Sequence, residues 1–403
     1  EKRAWVEHDF EKDGLDLIIR DGRLTANGTT LGGDNGVAVA LMLMVLDDDE
    51  IEHPPVECVF TTEEEVGLNG AKALDKSVLK ARTMINMDSE DEGVATVSCA
   101  GGLRVQFTKE IKRTTVQGSL LTLKVEGLLG GHSGQDIDKE RQNADLLMAR
   151  MIQRLLKETK GQLVSFNGGT KDNAIPRECE ASLIYESDEE AAKAEELACE
   201  LAETYAEELT PAEPDFSCEI SCETNRTAEA IPQDAAKEFI CAMRLAPNGI
   251  QKRNIKMDGF VVVSLNLGVV RTEEDRIVMI FSPRSSVASL QEDTKERLNT
   301  LAETFGFTVS HSSEYPGWSF KEDSPVREIC KESYKELFGE DLKIEAIHAG
   351  LECGLFSDAI KGLDAIAIGP TIANCHTPDE YLTLDSFERF YEFLKDILSR
   401  LAK

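Results

Sequence analysis

Short apolar runs alternate with charged or glycine-rich segments through residue 99. Residues 15–31 have the pattern of a strand and hairpin, and residues 35–46 are apolar on all sides, which predicts a helix buried between layers. Three more apolar runs predict strands at 56–61, 83–88 and 93–99. This alternation predicts a mostly parallel sheet with helices on both faces.

Longer amphipathic strands and charged helices replace this pattern after residues 103–115. The predicted strands span 119–127, 161–167, 177–185, 214–224, 260–270 and 276–283, and the predicted helices span about 141–159, 188–209, 232–245 and 289–305. The order strand-helix-strand-strand-helix-strand recurs, which predicts an inserted α+β domain with ferredoxin-like halves.

The first pattern returns after residue 315. Helices are predicted at 324–338 and 383–402, and strands at 342–347 and 364–369. We therefore expect the α/β fold class, with one domain built from residues 1–104 and 316–403 and interrupted by a second domain, residues 105–315.

Composition argues against certain classes of partner and favours one kind of cellular compartment. The net charge of −31 argues against nucleic acid and anionic membrane surfaces, and no apolar run approaches the roughly 20 residues of a membrane span. The ten cysteines are irregularly spaced, mostly inside apolar runs, as expected of buried thiols in a reducing compartment. We expect a cytoplasmic protein.

Acidic side chains cluster at predicted strand ends. Glu63, Glu64 and Glu65 follow one apolar run, Asp88 ends another, and Asp34 lies in a glycine-rich turn before the predicted helix. His376 flanks a further apolar run near the C-terminus. Like charges at the carboxyl edge of a sheet need a cation or a shared proton, so we interpret these residues as a hydrolytic metal centre.

Each of these residues alone has a plainer interpretation. The acidic triplet is typical of a solvated surface patch, and Asp34 alone is typical of a turn or helix cap. Asp88 alone suits a strand-end turn, and His376 alone suits a loop. Their order along the chain and their places at strand ends favour the metal interpretation.

Six motifs in order resemble the co-catalytic zinc peptidases, a family that includes aminoacylase, carboxypeptidase and several dipeptidases. They are Gly33-Asp34-Asn35-Gly36, Glu64-Glu65-x-Gly67, Asp88-Ser89-Glu90, Gly131-His132-Ser133-Gly134, Asn173-Ala174-Ile175-Pro176, and Gly369-Pro370 followed by His376-x-Pro378-x-Glu380. The resemblance runs from near residue 8 to the C-terminus. It is strongest to the aminoacyl-histidine dipeptidases, through Gly130–Gly134, Asn173–Arg177, Tyr315–Trp318 and Ile347–Leu355.

This resemblance implies two divalent cations, zinc first, with cobalt or manganese as alternatives. It implies that Asp34 bridges the two metals, that Glu65 and His376 complete one of them, and that Asp88 binds the other. Glu64 then serves as the general base. The assignment of Glu64 and Glu65 depends on counting back from Gly67, and a shift of one position within the triplet would exchange the roles of base and ligand.

The resemblance also implies substrate contacts and a dimer. His132 corresponds to an oxyanion-stabilising histidine, Arg284 to the residue that binds the substrate's C-terminal carboxylate, and Asn173 to one that positions the same groups. Taken alone, these three suit a turn, a strand end and a turn cap. Glu352 is assigned to the substrate's free amine. The inserted domain would act as a lid and join a homodimer.

One departure from the family pattern concerns an earlier strand. Family members carry a His-x-Asp pair there, whereas this chain begins at Glu1, after the expected place, and His8-Asp9 does not replace the pair. We therefore interpret the chain as a fragment of an enzyme that lacks one metal ligand, and the sequence leaves open whether the chain itself binds two metals and is active.

The expected function is metal-dependent hydrolysis of small peptides, with Xaa-His dipeptides such as carnosine preferred. The alternatives are a related tripeptidase, an N-acyl amino acid deacylase, or a non-catalytic metal-binding fragment.

Overall fold

The computed structural model describes residues 1–255 and 259–403, which divide into two compact units. Unit 1 consists of Glu1–Cys99, Gly317–Ile347 and Leu351–Lys403, and unit 2 consists of Ala100–Pro316 and His348–Gly350. The predicted insertion, 105–315, lies within the longer segment of unit 2. The short return at His348–Gly350 has no counterpart in the sequence pattern.

The α-helices of the described residues are mostly of three or more turns. They are α1 (Gly33–Asp47), α2 (Asn69–Ala73), α3 (Ala144–Glu158), α4 (Asp188–Leu209), α5 (Gln233–Leu245), α6 (Ala288–Thr304), α7 (Pro325–Phe338), α8 (Glu352–Ala359) and α9 (Leu384–Leu401). Each is too short or too polar to cross a bilayer.

The strands of the described residues are short in unit 1 and long in unit 2. They are β1 (Leu17–Arg20), β2 (Arg23–Ala26), β3 (Thr83–Asn86), β4 (Val94–Cys99), β5 (Gly101–Glu110), β6 (Thr114–Glu126), β7 (Gly131–His132), β8 (Gln162–Gly168), β9 (Ala174–Ile175), β10 (Cys179–Tyr185), β11 (Ser217–Ala230), β12 (Gly249–Arg253), β13 (Val261–Thr272), β14 (Arg276–Ser285), β15 (Thr308–Tyr315), β16 (Lys343–Ile347), β17 (Asp364–Ala367), β18 (Ile372–Ala373) and β19 (Tyr381–Thr383).

Unit 1 has the predicted α/β architecture. One four-stranded sheet has the order β16-β4-β17-β3, with β16/β4 and β17/β3 parallel and β17/β4 antiparallel. A second, antiparallel sheet has the order β1-β2-β19-β18. The buried cluster of Cys99, Trp318, Cys353 and Phe356 packs α8 against the first sheet.

Unit 2 is built on a nine-stranded antiparallel sheet with the order β11-β6-β10-β8-β13-β14-β5-β15, with β12 paired to β13. Its core includes the tilted pair Phe107 and Phe281 and the edge-to-face pair Phe166 and Phe239. Apolar side chains on the inward faces of the long strands and of the helices pack together and form this single large core.

Two expectations for unit 1 are wrong. Residues 56–61 are described but pair with no neighbouring strand, although the carboxylate of Glu57 accepts the backbone N–H groups of Lys80 and Ala81. Helix α1 is not buried on all sides, since Val39 and Leu43 lie on an exposed face. An apolar run in sequence predicts a helix but not how many of its faces are covered.

Candidate metal centre

Asp34 lies where a glycine turn enters α1. Gly32 has a φ of 68°, a left-handed conformation that glycine adopts without strain, and Asp34 and Asn35 depart from helical geometry at the start of the helix. The peptide bond between Asp34 and Asn35 is cis. The turn places the Asp34 side chain, which is 21% exposed, at the N-terminal end of the helix.

His376 and Glu65 meet Asp34 from two other loops. The Nε2 atom of His376 lies 3.1 Å from Oδ2 of Asp34 and 2.8 Å from Oε1 of Glu65. One ligand atom from each residue lies within 4.8 Å of the other two. Glu65 follows the left-handed Glu63 in a turn, and His376 lies in the loop between β18 and β19.

The electrostatics of this trio favour a positive charge among them. Burial lowers the pKa of His376, but the carboxylates of Glu65 and Asp34 outweigh it, so the pKa is raised above its usual value. One imidazole nitrogen and two carboxylates are a donor set that zinc accepts. The residues present therefore fit a divalent cation at this point.

Asp88 and Glu64 lie in the same field of negative charge. Burial, followed by repulsion from Asp34 and Glu64, raises the pKa of Asp88 to about 7. Burial and the neighbouring Glu65 and Asp34 also raise the pKa of Glu64. Asp88 is repelled by Asp34 and Glu65 of the trio but does not belong to its close-contact group.

Within the acidic triplet, the three side chains have different surroundings. Glu65 contacts His376, whereas Glu63 accepts a hydrogen bond of 3.0 Å from Asn69. Glu64 lines a cleft of about 470 Å³ together with Asp88 and Glu352. Glu352 begins α8, and its Oε1 accepts a hydrogen bond of 2.8 Å from the hydroxyl of Thr61.

A second close group, Asp34 with Glu90 and Cys375, was not singled out by the sequence. Burial and then the adjacent Glu90 raise the pKa of the Cys375 thiol to about 12. Because the thiolate is the metal-binding form, this group is the weaker candidate. The sequence signals for it were Glu90 in the motif Asp88-Ser89-Glu90 and the position of Cys375 beside His376.

Arg284 lies in unit 2, in a row of residues across four neighbouring strands. The strand registers align Tyr315 with Gly102, Gly102 with Arg284, and Arg284 with Ser264. Gly102 leaves room for the Tyr315 ring, whose hydroxyl accepts a hydrogen bond of 3.0 Å from Nη1 of Arg284. Ser264 in turn contacts Nε2 of His348 at 2.7 Å.

His132 and Asn173 also lie together in unit 2. The Nδ1 atom of His132 accepts the backbone N–H groups of Gly134 and Gln135, which leaves Nε2 as the position of the ring proton. Burial and then Arg284 lower the pKa of His132, so the ring is neutral at pH 7. The backbone oxygen of Asn173 accepts the N–H of Ser133, and its side chain is exposed.

The chain is similar to known proteins in both sequence and fold. The sequence matches Peptidase family M20/M25/M40 over residues 1–400. It is 34% identical over 400 residues to the Escherichia coli (strain K12) protein named cytosol non-specific dipeptidase, a match that covers 98% of this chain and 81% of that protein.

Two solved structures have related folds. The crystal structure of aminoacylhistidine dipeptidase from Vibrio alginolyticus is 35% identical, with a TM-score of 0.94, and the match covers 99% of this chain and 82% of that chain. Aminopeptidase PepT from Bacillus cereus is 16% identical, with a TM-score of 0.51 and coverage of 98% and 78%, which is a likeness of fold alone.

Proposed function

Because the chain belongs to peptidase family M20/M25/M40 and is a metallopeptidase, we propose that it hydrolyses dipeptides and prefers Xaa-His substrates. The convergence of Asp34, Glu65 and His376 on one point carries the proposal. The names of the relatives differ on specificity: the E. coli protein is called non-specific, and the Vibrio protein is named for aminoacylhistidine substrates.

Two divalent cations, with zinc as the first choice, would be held by the acidic cluster. Asp34, Glu65 and His376 would hold one of them, and Asp88 would hold the second together with Asp34. A divalent cation there lowers the pKa of a bound water to about 7, so that hydroxide is available at neutral pH. The raised pKa of Asp88 supports this assignment, because a cation would offset the burial and the repulsion that raise it.

Glu64 is the proposed general base. Its raised pKa brings a half-buried carboxylate closer to neutral pH, where a base accepts a proton most effectively. The carboxylate takes the proton of the attacking water and then gives it to the leaving amine. Glu65 does not take this role because its oxygen faces His376.

The substrate's ends are recognised by charge. Arg284 suits the C-terminal carboxylate, because its Nε is buried without a partner among the described residues while Nη1 is held by Tyr315. Neutral His132 donates from Nε2 to the oxyanion that develops at the scissile carbonyl. Asn173 assists this positioning, and Glu352 pairs with the free amine.

We propose a homodimer formed through unit 2 and a cytoplasmic location. The name of the E. coli relative and the free thiols of all ten cysteines support a reducing compartment.

The test is metal analysis combined with a substrate panel. Purified protein should bind two equivalents of zinc and hydrolyse Xaa-His dipeptides faster than other dipeptides, tripeptides or N-acyl amino acids. Asp34→Ala should abolish both zinc binding and hydrolysis. Asp379→Asn, which removes an exposed charge from the loop that bears His376, should change neither. Hydrolysis that persists in Asp34→Ala would contradict the proposed centre.

A further inference from the structure

Glu380 is a buried carboxylate whose hydrogen bonds all converge on the turn that carries Asp34. Its side chain is 2% exposed, and it precedes β19 at the end of the loop that bears His376. The sequence motif included Glu380 but assigned it no role.

Four successive backbone N–H groups donate to this one carboxylate. Oε2 accepts from Leu31 at 2.7 Å and from Gly32 at 2.9 Å. Oε1 accepts from Gly33 at 2.7 Å and from Asp34 at 3.2 Å. The left-handed Gly32 turns consecutive N–H groups to the same side, which makes a concave anion-binding nest.

The nest is closely fitted to the carboxylate. A Cβ atom added to Gly33 would lie 3.2 Å from Oε1 of Glu380 and 3.4 Å from Cγ2 of Ile372. The carboxylate also lies at the N-terminal end of α1, where the helix dipole favours a negative charge. The Glu380 carboxylate therefore favours one conformation of this turn.

Glu380 also joins the two loops that meet at the metal centre. Its own backbone N–H donates to Thr377, and the N–H of Thr377 donates to Asn374, so the segment around His376 is a compact set of turns. One end of this segment holds His376 against Asp34, and the other end holds the backbone of Asp34 through the Glu380 carboxylate.

We propose that Glu380 is a positioning residue for the metal centre: its carboxylate fixes the spacing of Asp34 and His376 before any cation binds. This inference rests on the proposed function, since it assigns the metal to Asp34 and His376. Partners of metal ligands that orient them without touching the metal typically contribute 10–100-fold to metal affinity or activity.

The test compares Glu380→Gln with Asp379→Asn in the full chain. Glutamine keeps the shape of the side chain but places an NH₂ group against backbone N–H donors. Asp379 is the adjacent acid, and its exposed carboxylate pairs with Arg3. Zinc affinity is measured by chelator competition, well below the unfolding temperature of each variant.

We expect Glu380→Gln to weaken zinc binding at least ~10-fold and Asp379→Asn to change it less than twofold. Hydrolysis by Glu380→Gln should recover as the zinc concentration is raised, a rescue that a loss of fold would not show. A folded Glu380→Gln protein with unchanged zinc affinity would overturn the inference while leaving the proposed function intact.

Hydrogen exchange of the metal-free wild type provides a second measurement that needs no variant. The amides of residues 31–34 should exchange slowly without zinc, because Glu380 already accepts them. Exchange at the rate of an open loop would overturn the inference. A wild type with protected amides that binds no zinc would instead remove the proposed function, and with it the role of Glu380 toward a metal.

Discussion

Replacing Asp145 with asparagine should remove a pH-dependent loss of stability from unit 2. Asp145 lies in the first turn of α3 and is fully buried, and within the described residues its carboxylate has the Cys179 thiol beside it but accepts no N–H or O–H group. Burial raises its pKa to about 8, and the nearby Cys179 thiol and Arg271 guanidinium lower it only in part. The group is therefore protonated in the folded protein at neutral pH.

Proton linkage gives the sign and the size of the effect. The folded state keeps the proton, whereas the unfolded chain releases it above the ordinary pKa of 3.8, so the free energy of unfolding falls as the pH rises from about 4 to about 8. Each pH unit within that window removes about 1.4 kcal/mol. A rise from pH 5 to pH 8 thus costs the wild type about 4 kcal/mol at most, and Asp145→Asn avoids this cost.

The assay must report on unit 2. Both tryptophans, Trp5 and Trp318, lie in unit 1, so their fluorescence does not report directly on the surroundings of α3. Hydrogen exchange of α3 and β10 amides, corrected for intrinsic rates at pH 5 and pH 8, gives the local free energy of opening. The control is Asp234→Asn, which removes an exposed acid from the first turn of α5.

The wild type and the control should lose protection together between the two pH values, and Asp145→Asn should lose much less. If Asp145→Asn and the wild type lose protection in parallel, to within about 0.5 kcal/mol, Asp145 does not hold a proton in the folded state and the linkage reasoning fails.

Three other predictions concern the proposed reaction. Glu64→Gln should bind zinc normally but lose at least ~10²-fold in kcat, and near-normal turnover would rule out Glu64 as the base. Arg284→Lys should raise KM for dipeptides about tenfold or more with a smaller effect on kcat, because an ammonium cannot replace the forked guanidinium, and an unchanged KM would contradict carboxylate binding. Gly102→Ala should also raise KM, because its Cβ would lie 2.8 Å from the Tyr315 hydroxyl that holds Arg284. Steady-state kinetics of Gly102→Ala and of Ser264→Ala would show whether the effect is specific to Tyr315.

Local patterns in the sequence determined the helices with good accuracy. The run predicted at 188–209 is α4, Asp188–Leu209, and the run predicted at 324–338 is α7, which starts after the Ser324 cap. Helix periodicity and capping depend on residues only a few positions apart, so they are visible in a single sequence. The α/β class and the family followed from the order of motifs, and both were confirmed.

Strands and their pairing were harder to predict from the sequence than helices. The strand predicted at 56–61 is absent among the described residues, and β5 and β15, which pair with each other in the sheet of unit 2, were not predicted. A strand is stabilised by partners that lie far away in sequence, as β5 and β15 do, and an apolar run does not reveal whether a partner is present.

The candidate site shows the same division. Acidic residues at strand ends are a local signal and indicated a metal centre that includes Asp34, Asp88 and His376. The family resemblance added Glu65 as a ligand, and the whole set stays a prediction. Only the tertiary structure decided that Glu65 rather than Glu63 faces His376, across 311 positions of sequence, and that Glu380 holds the turn of Asp34. Contacts between distant loops depend on how every intervening element packs, and no local pattern encodes that packing.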